Sequence, residues 1–279
     1  MKVCWNITNR CNEHCEYCFR ELLQEPRSLE DNKKIVDNLV QLGVTSITFA
    51  GGEPLMYPDL LDLIKYAHGY NLRINLITNG SLLKINSENC LKLLQYLDKI
   101  TFSLDSTNNA INENLGRGVN HFEHLKKIIP IVHEVLPDLN IEINSVVTKK
   151  YPNETNYLID EIQNNFLYHG VKKLKVSRFD PIRGNAYLLR DEFDLSDERF
   201  ESIKTSTSRD DIAFTLEYRD KEDIEKNYIV TPNGSLSKAV NSKDIVIVDN
   251  LAKDIDTIRK DINANDEIVE EKGKVRKYV

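Results

Sequence analysis

The stretch Cys11-Asn12-Glu13-His14-Cys15-Glu16-Tyr17-Cys18-Phe19 follows the first apolar segment of the chain, Val3-Cys4-Trp5-Asn6-Ile7. The apolar segment predicts a strand, which places the stretch on the loop that leaves that strand. Three of the five cysteines of the chain, Cys11, Cys15 and Cys18, fall within this stretch. An odd number of cysteines, with three so close together, is typical of a metal site rather than of a disulfide framework.

Two kinds of metal site are compatible with three cysteines on one short loop. Three thiolates can bind three corners of a 4Fe–4S cluster and leave its fourth iron without a protein ligand. A structural zinc site, or thiols that bind no metal, are the alternatives. Zinc requires four protein ligands, usually from two pairs, and the chain has no second cysteine pair. His14 is crowded between the cysteines as a fourth ligand, so the spacing favours the cluster with an open iron.

Short apolar segments alternate with longer amphipathic ones up to about residue 205. Six strand–helix units are predicted, and such alternation favours parallel strands joined by crossover helices. This pattern fits an α/β fold that is either an incomplete barrel or an open doubly wound sheet. Pro130 lies inside the predicted helix Phe122–Val135 and should kink or split it. The predicted strands are Val3–Ile7, Ser46–Phe49, Arg73–Thr78, Lys99–Leu104, Asn140–Val147 and Lys172–Phe179.

The pattern changes after residue 205. Thr205–Arg209 is predicted as a polar linker, and Ala213–Tyr218 as a strand. Two apolar segments flank the turn Pro232-Asn233-Gly234 and predict a hairpin of Asn227–Val230 with Leu236–Val240. Asp249–Asp261 is predicted to be a helix. We therefore expect a core domain of residues 1–205 and an α+β extension, residues 206–279, that packs on it.

The composition excludes several classes of partner. The 279 residues carry a net charge of −7, with a pI near 5.5, which argues against binding to duplex nucleic acid. No apolar run approaches the roughly 20 residues that a membrane-spanning helix needs. The N-terminal segment Met1–Trp5 is too short and too polar for a signal peptide, so we expect a cytoplasmic protein without a membrane partner.

Polar and glycine-rich motifs follow each predicted strand. Gly51-Gly52-Glu53-Pro54 follows the second strand, and Thr78-Asn79-Gly80 ends the third. Glycines allow a close approach of the backbone to a ligand. Parallel strand–helix folds place their sites at the carboxyl ends of the strands, where these motifs lie. The later strand ends and the loops after them carry Ser103, Asp105, Arg117, Asn144, Arg178 and Asp180.

The C-x3-C-x2-C spacing, with an aromatic residue before the last cysteine, resembles the radical S-adenosylmethionine (SAM) superfamily, as does Gly51–Pro54. This resemblance implies a partial (β/α)6 TIM-like barrel with a C-terminal α+β extension. Further implications are a 4Fe–4S cluster on Cys11, Cys15 and Cys18, SAM bound to the open iron, and a 5′-deoxyadenosyl radical that abstracts hydrogen from the substrate. The SAM-binding residues that it implies are Phe19, Gly51, Gly52, Glu53, Ser103, Arg117 and Asn144.

Within this superfamily, several segments are similar to viperin and its prokaryotic relatives. They are Asn79–Leu82, Leu104–Ser106, Leu115–Gly118 with Asn120-His121 close behind, Ile143–Val147, Lys175-Val176 and Asn227-Tyr228. The similarity implies an enzyme of antiviral or antiphage defence that removes water from a nucleoside triphosphate to give a 3′-deoxy-3′,4′-didehydro nucleotide. An electron donor such as flavodoxin or ferredoxin is also implied. On this interpretation the substrate is bound by Asn79, Lys175 and Arg183, and the catalytic candidates are Arg178 and Tyr228.

The chain departs from the viperin pattern at positions that contact phosphate. Ser46 and Glu142 stand where the group has lysines, and Ala50 stands where it has a serine. A triphosphate requires cationic donors, so other residues must supply them. The candidates are Lys175, Arg178, Arg183 and Lys238. Modification of a peptide or another small metabolite is the alternative function, whereas an electron carrier would need a fourth ligand to the cluster.

Overall fold

A computed structural model describes residues 1–20, 26–224, 228–240 and 243–274. Strands and helices alternate from β1 to β6, which confirms the predicted succession of strand–helix units. The strands are β1 (Lys2–Thr8), β2 (Ser46–Gly51), β3 (Arg73–Thr78), β4 (Lys99–Ser103), β5 (Asn140–Val147), β6 (Val171–Arg178), β7 (Thr215–Arg219), β8 (Tyr228–Val230), β9 (Leu236–Val240) and β10 (Lys243–Val248).

The helices occupy connections between strands, except for α11, which follows the last strand. Two short 3-10 segments, Pro54–Met56 and Phe166–His169, accompany them. No helix within the described ranges has both the length and the apolar character that crossing a membrane requires. The helices are α1 (Leu29–Gln41), α2 (Leu60–His68), α3 (Glu88–Gln95), α4 (Asn109–Asn114), α5 (His121–Val135), α6 (Glu154–Asn164), α7 (Gly184–Leu188), α8 (Arg190–Phe193), α9 (Asp197–Thr207), α10 (Lys221–Ile224) and α11 (Ile255–Lys274).

The chain divides into two compact units, of which the first comprises Met1–Cys11, Arg20–Asn75 and Glu222–Val279. Its strands lie in the order β10-β9-β8-β1-β2. β1 is parallel to both β2 and β8, whereas β9 runs antiparallel to its two neighbours, β8 and β10. The pairing of β8 with β9 confirms the predicted hairpin, although Asn227 lies outside the described residues. β10 was not predicted.

The second unit comprises Asn12–Phe19 and Leu76–Lys221. Its strands lie in the order β4-β5-β6-β7 and are all parallel. β7 belongs to the predicted C-terminal extension, yet it pairs with β6 of the predicted core. The domain boundary at residue 205 stays a prediction.

The strands β4–β6 have two different faces because successive side chains point to opposite sides. Apolar side chains on one face are fully buried, and α6 packs against β5 and β6. They are Ile100, Phe102, Ile141, Ile143, Leu174 and Val176. The opposite face of β4–β7 is the one we call the polar face. It carries Lys99, Thr101, Ser103, Glu142, Asn144, Lys173, Lys175, Ser177, Glu217 and Arg219.

One local prediction is wrong, and another is contradicted only in part. Thr205–Arg209 is not a linker throughout, since α9 continues to Thr207. The hydroxyl groups of Thr205 and Thr207 donate to the carbonyls of Glu201 and Ile203, which supports the extra helical turn. Pro130 does not split its helix, because α5 runs unbroken from His121 to Val135, and the alternative of a kink at Pro130 stays a prediction.

Candidate active site

The segment Cys11–Cys18, which we call the cysteine loop, follows β1 after a short connection. All five cysteines lie within the described ranges and none is in a disulfide. Those at positions 11, 15 and 18 are partly exposed. A turn at the end of the loop is closed by the Cys18 N–H, which donates to the Cys15 carbonyl at 3.1 Å. Three cysteines that form no disulfide therefore share one loop, as the sequence predicts.

The connection that leads from β1 into the cysteine loop is held in the first unit by Gly52 and Glu53, which follow β2. The Gly52 N–H donates to the Thr8 carbonyl at 2.6 Å, and the Glu53 N–H donates to the Arg10 carbonyl at 2.8 Å. A Cβ atom on Gly52 would lie 2.1 Å from the Arg10 carbonyl oxygen. Glycine is therefore required here for the close approach of two backbones.

The rest of the cysteine loop is held in the second unit by the segment after α4. The backbone N–H groups of His14 and Glu16 donate to the carbonyls of Gly116 and Leu115, at 2.9 and 3.0 Å. Gly116 has a φ of +85°, and a Cβ atom on it would lie 2.3 Å from the His14 carbonyl oxygen. The glycine-rich motif at Gly116 is thus fitted to the backbone of the cysteine loop.

Five buried side chains add an ionic network to this backbone contact, which we call the arginine clamp. Arg117 donates through Nε to Asp105 at 2.6 Å, through Nη1 to Glu13 at 3.2 Å and through Nη2 to the Tyr17 hydroxyl at 2.7 Å. Tyr17 in turn donates to Asp105, and His121 Nδ1 lies 3.1 Å from the Glu13 carboxylate. Every member is at most 7% exposed. The clamp ties the cysteine loop to β4 and to the start of α5.

The electrostatics of the clamp favour the charged forms of Glu13 and Arg117. Burial raises the pKa of Glu13, but the hydrogen bond from His121 and the charge of Arg117 outweigh it, so the net pKa is lowered. Burial lowers the pKa of Arg117, but Asp105 and its other partners raise it well above the ordinary value. Burial also raises the pKa of the Cys15 thiol from 9.0 to about 12. Cys15 must therefore release a proton when a metal binds.

The predicted SAM ligands Ser103 and Asn144 are brought together at the polar face. They are register partners on β4 and β5, and the Leu104 N–H donates to the Asn144 carbonyl at 2.9 Å. The side-chain oxygen Oδ1 of Asn144 is buried and accepts no hydrogen bond from any residue that the structure describes. A buried acceptor without a donor is costly, so this atom is well suited to receive a donor from a ligand.

Three further predicted residues lie against the cysteine loop or its end. The Asn79 side-chain amide donates to Asn12 Oδ1 at 3.0 Å, which links β3 to the loop. Arg183 donates through Nε to the Phe19 carbonyl at 3.0 Å, and its guanidinium lies 5.6 Å from the centre of the Phe19 ring. Phe19 is 44% exposed. Asn79 therefore contacts the start of the cysteine loop, and Arg183 contacts Phe19, which follows its end.

Lys175 and Arg178 of β6 point to opposite faces of the sheet. Lys175 lies on the polar face, next to Asn144 in register, and its Nζ donates to Glu142 at 2.6 Å. Arg178 lies on the other face, where Nη1 donates to Asp197 at 2.7 Å and to Asp220 at 3.2 Å. The structure therefore separates these two predicted residues.

The predicted catalytic residue Tyr228 lies on β8 in the first unit, with the Lys238 ammonium 5.5 Å from its ring centre. Its catalytic role, like that of Arg178, stays a prediction. Sequence reasoning missed Glu13 and His121 as members of the clamp. The signal in the sequence is the carboxylate of Glu13 between the cysteines, because a buried carboxylate requires a cationic partner. That partner is Arg117, which lies 104 positions away in the chain.

The family of the chain follows from a comparison with known proteins. Residues 5–162 match the radical SAM superfamily, so the chain belongs to that superfamily and is an enzyme of this class. Its cofactors are the 4Fe–4S cluster and SAM that this family uses. The expected partial TIM-like barrel is confirmed by the structure of Streptococcus suis SuiB bound to S-adenosylmethionine. That structure has a TM-score of 0.67 and 17% identity, over 92% of this chain and 64% of SuiB.

Relatives with a more specific name are similar over much of the chain. An S-adenosylmethionine-dependent nucleotide dehydratase of Flammeovirga pacifica is 27% identical over 83% of this chain and 80% of its own length. A protein of the same name from Selenomonas ruminantium is 32% identical over 57% of this chain. The match spans only 61% of that second relative.

The residues present fit both cofactors. A 4Fe–4S cube engages each thiolate on a different iron, and three cysteines without a disulfide lie on one loop. Within the described residues, no three His, Cys, Asp or Glu side chains are placed to hold a single metal ion. The buried Oδ1 of Asn144 supplies an acceptor suited to the amino group of SAM. Cys11, Cys15 and Cys18 stay the predicted cluster ligands.

Proposed function

We propose that this enzyme is a radical SAM nucleotide dehydratase. The observation that carries the proposal is the polar face of β4–β7, where Lys99, Lys173 and Lys175 lie on the same side of the sheet as Ser103 and Asn144. Ammonium groups on that side can bind the phosphate of a nucleotide whose sugar lies near the predicted SAM ligands. The shared name of the two relatives supports this choice of substrate.

The proposed reaction balances as the loss of one water molecule. When bound, the cluster supplies the electron that cleaves SAM to methionine and a 5′-deoxyadenosyl radical. The hydrogen atom on C4′ of the nucleotide passes to the 5′-deoxyadenosyl group and forms 5′-deoxyadenosine. The 3′ hydroxyl takes up a proton and leaves as water, and a second electron from the reductant completes the 3′,4′ double bond. One SAM is thus consumed for each product.

The side chains of this protein bind and orient the reactants. Ser103 and Asn144 hold SAM through hydrogen bonds from the polar face. Arg117 acts on the cysteine loop, where its three hydrogen bonds fix the backbone that carries Cys15 and Cys18. Lys175 and the neighbouring lysines orient the nucleotide phosphate.

The substrate and the electron donor complete the proposal. The resemblance to viperin makes a nucleoside triphosphate the first substrate to test. A low-potential carrier such as flavodoxin or ferredoxin would supply both electrons. Its docking requires an approach to the partly exposed cysteine loop.

The test is anaerobic reconstitution with iron, sulfide, SAM and a reductant, followed by addition of each nucleotide in turn. We expect one nucleotide to stimulate 5′-deoxyadenosine release and to yield a product lighter by one water. Cys11→Ala is the matched control and should abolish SAM cleavage. Release of 5′-deoxyadenosine that is insensitive to every nucleotide would overturn the proposal and favour a peptide or another metabolite as substrate.

A further inference from the structure

The polar face contains a carboxylate that already occupies two of its lysines. Oε2 of Glu142 lies 2.6 Å from Nζ of Lys175 and 3.2 Å from Nζ of Lys99. The Glu142 side chain is only 5% exposed, whereas those of Lys175 and Lys99 are 15% and 23% exposed. One buried carboxylate oxygen is therefore shared by two cations that still reach solvent on this face, and its single charge offsets only one of them.

Glu142 remains ionised at neutral pH. Burial raises its pKa, but the hydrogen bond from Lys175 and the charges of Lys175 and Lys99 outweigh burial and lower the net pKa. The same burial lowers the pKa of Lys175, which the bond from Glu142 partly offsets. Glu142 thus presents a full negative charge beside the ammonium groups that would bind phosphate.

The charge of the whole polar face is small for a triphosphate site. Strands β4–β7 place four basic side chains on it, namely Lys99, Lys173, Lys175 and Arg219, and two acidic ones, Glu142 and Glu217. The surplus is two positive charges. A phosphate monoester carries about −1.5 to −2 at pH 7, and each further phosphate group adds negative charge. The surplus matches one phosphate group, and a longer chain would bring its excess charge close to Glu142.

We propose that Glu142 is a specificity-determining residue, and that it makes a nucleoside monophosphate the preferred substrate over a free triphosphate. This inference rests on the proposed function and narrows its substrate class. The physical cause is repulsion between a buried carboxylate and additional phosphate charges, in a site where the cations are already shared.

The experiment compares the mono-, di- and triphosphates of one nucleoside at a fixed magnesium concentration. The readouts are kcat/KM for 5′-deoxyadenosine release, and the Kd of each nucleotide for the SAM-bound enzyme without reductant. The wild-type enzyme should prefer the monophosphate in both. Glu142→Gln keeps the shape and an acceptor for Lys175 while it removes the charge. It should improve triphosphate binding relative to monophosphate by about tenfold.

Glu217→Gln is the matched control, because Glu217 also pairs with a lysine of this face. Its Oε2 lies 3.0 Å from Nζ of Lys173, but its side chain is 38% exposed, so water screens its charge. We expect this variant to change the ratio of triphosphate to monophosphate affinity by less than Glu142→Gln does. An equal change in both variants would show that Glu142 has no special role and would overturn the inference.

The remaining outcomes separate the inference from the proposed function. A wild-type preference for the triphosphate, or an unchanged ratio in a folded Glu142→Gln variant, overturns the inference and leaves the dehydratase intact. If the variant does not fold, the wild-type order of kcat/KM decides alone. Failure of all three nucleotides to stimulate a protein that cleaves SAM overturns the proposed function itself.

Discussion

The arginine clamp and the polar face are both ionic networks of the second unit, but they differ in how completely they are closed. Arg117 is 7% exposed, and each of its three types of N–H donor has an acceptor among Glu13, Tyr17 and Asp105. On the polar face, Lys175 is 15% exposed and Lys173 is 28% exposed. A closed network fixes a backbone, whereas an open one can exchange a protein partner for a ligand. The clamp therefore suits a cofactor loop, and the polar face suits a substrate.

The largest effect is expected from opening the closed network. Arg117→Ala leaves the carboxylates Glu13 and Asp105 buried without their cation, which should cost about 3–5 kcal/mol in the free energy of unfolding. Arg117→Lys keeps the charge but cannot make three directional bonds, so it should recover only part of the loss. Denaturant unfolding of the protein without cluster or SAM measures this difference.

The same variants distinguish a structural role of Arg117 from a role in SAM binding alone. If the clamp holds the cysteine loop, Arg117→Ala should also bind less iron per chain after anaerobic reconstitution. Wild-type unfolding and wild-type iron content, combined with weakened SAM binding, would contradict the clamp and return Arg117 to the SAM site.

A smaller effect is expected from the backbone that supports the clamp. Gly116→Ala introduces both a positive φ of +85° and a contact of 2.3 Å with the His14 carbonyl oxygen. Gly43→Ala is the matched control, since Gly43 has a φ of +80° but no atom within 4 Å of the added Cβ. The free energy of unfolding of the control should fall by about 1–2 kcal/mol, which is the cost of the left-handed conformation. Gly116→Ala should lose more, and equal losses in denaturant unfolding would show that the cysteine loop does not press on Gly116.

The smallest effect concerns the pH dependence of the open network. The folded-state pKa of Glu142 is depressed below its ordinary 4.5, so its ion pairs stabilise the protein above that pH. This stability is lost as the pH falls through the folded-state pKa. The difference in unfolding free energy between wild type and Glu142→Gln should therefore shrink between neutral pH and pH values below 4.5. A constant difference across that range would mean that the charge of Glu142 is not paired in solution.

The elements that carry strong local patterns were predictable from the sequence. The bounds of β3 and β5 agree with the predicted strands Arg73–Thr78 and Asn140–Val147, because alternating or continuous apolar residues mark both. The cysteine spacing and the motif Gly51–Pro54 indicate the superfamily without any information on geometry. These signals are local in the chain.

What depends on distant partners was not predictable. Glu13 and Arg117 are 104 positions apart, and nothing in either motif shows that they meet. The face on which Arg178 lies depends on the register of β6. Its neighbour Ser177 lies on the polar face, so a shift of the register by one residue would place Arg178 there instead. The last turn of α9 contains a side-chain hydrogen bond from Thr207 to the Ile203 carbonyl. The polar composition of this segment does not show that bond and predicts a linker instead.

The central claim is that the enzyme abstracts hydrogen from C4′ of a nucleotide and removes water. The most direct measurement uses a nucleotide with deuterium at C4′ and mass spectrometry of both products. We predict that deuterium is transferred to 5′-deoxyadenosine and that the nucleotide product is lighter by one water and has lost its label. Unlabelled 5′-deoxyadenosine together with unchanged nucleotide would contradict the account.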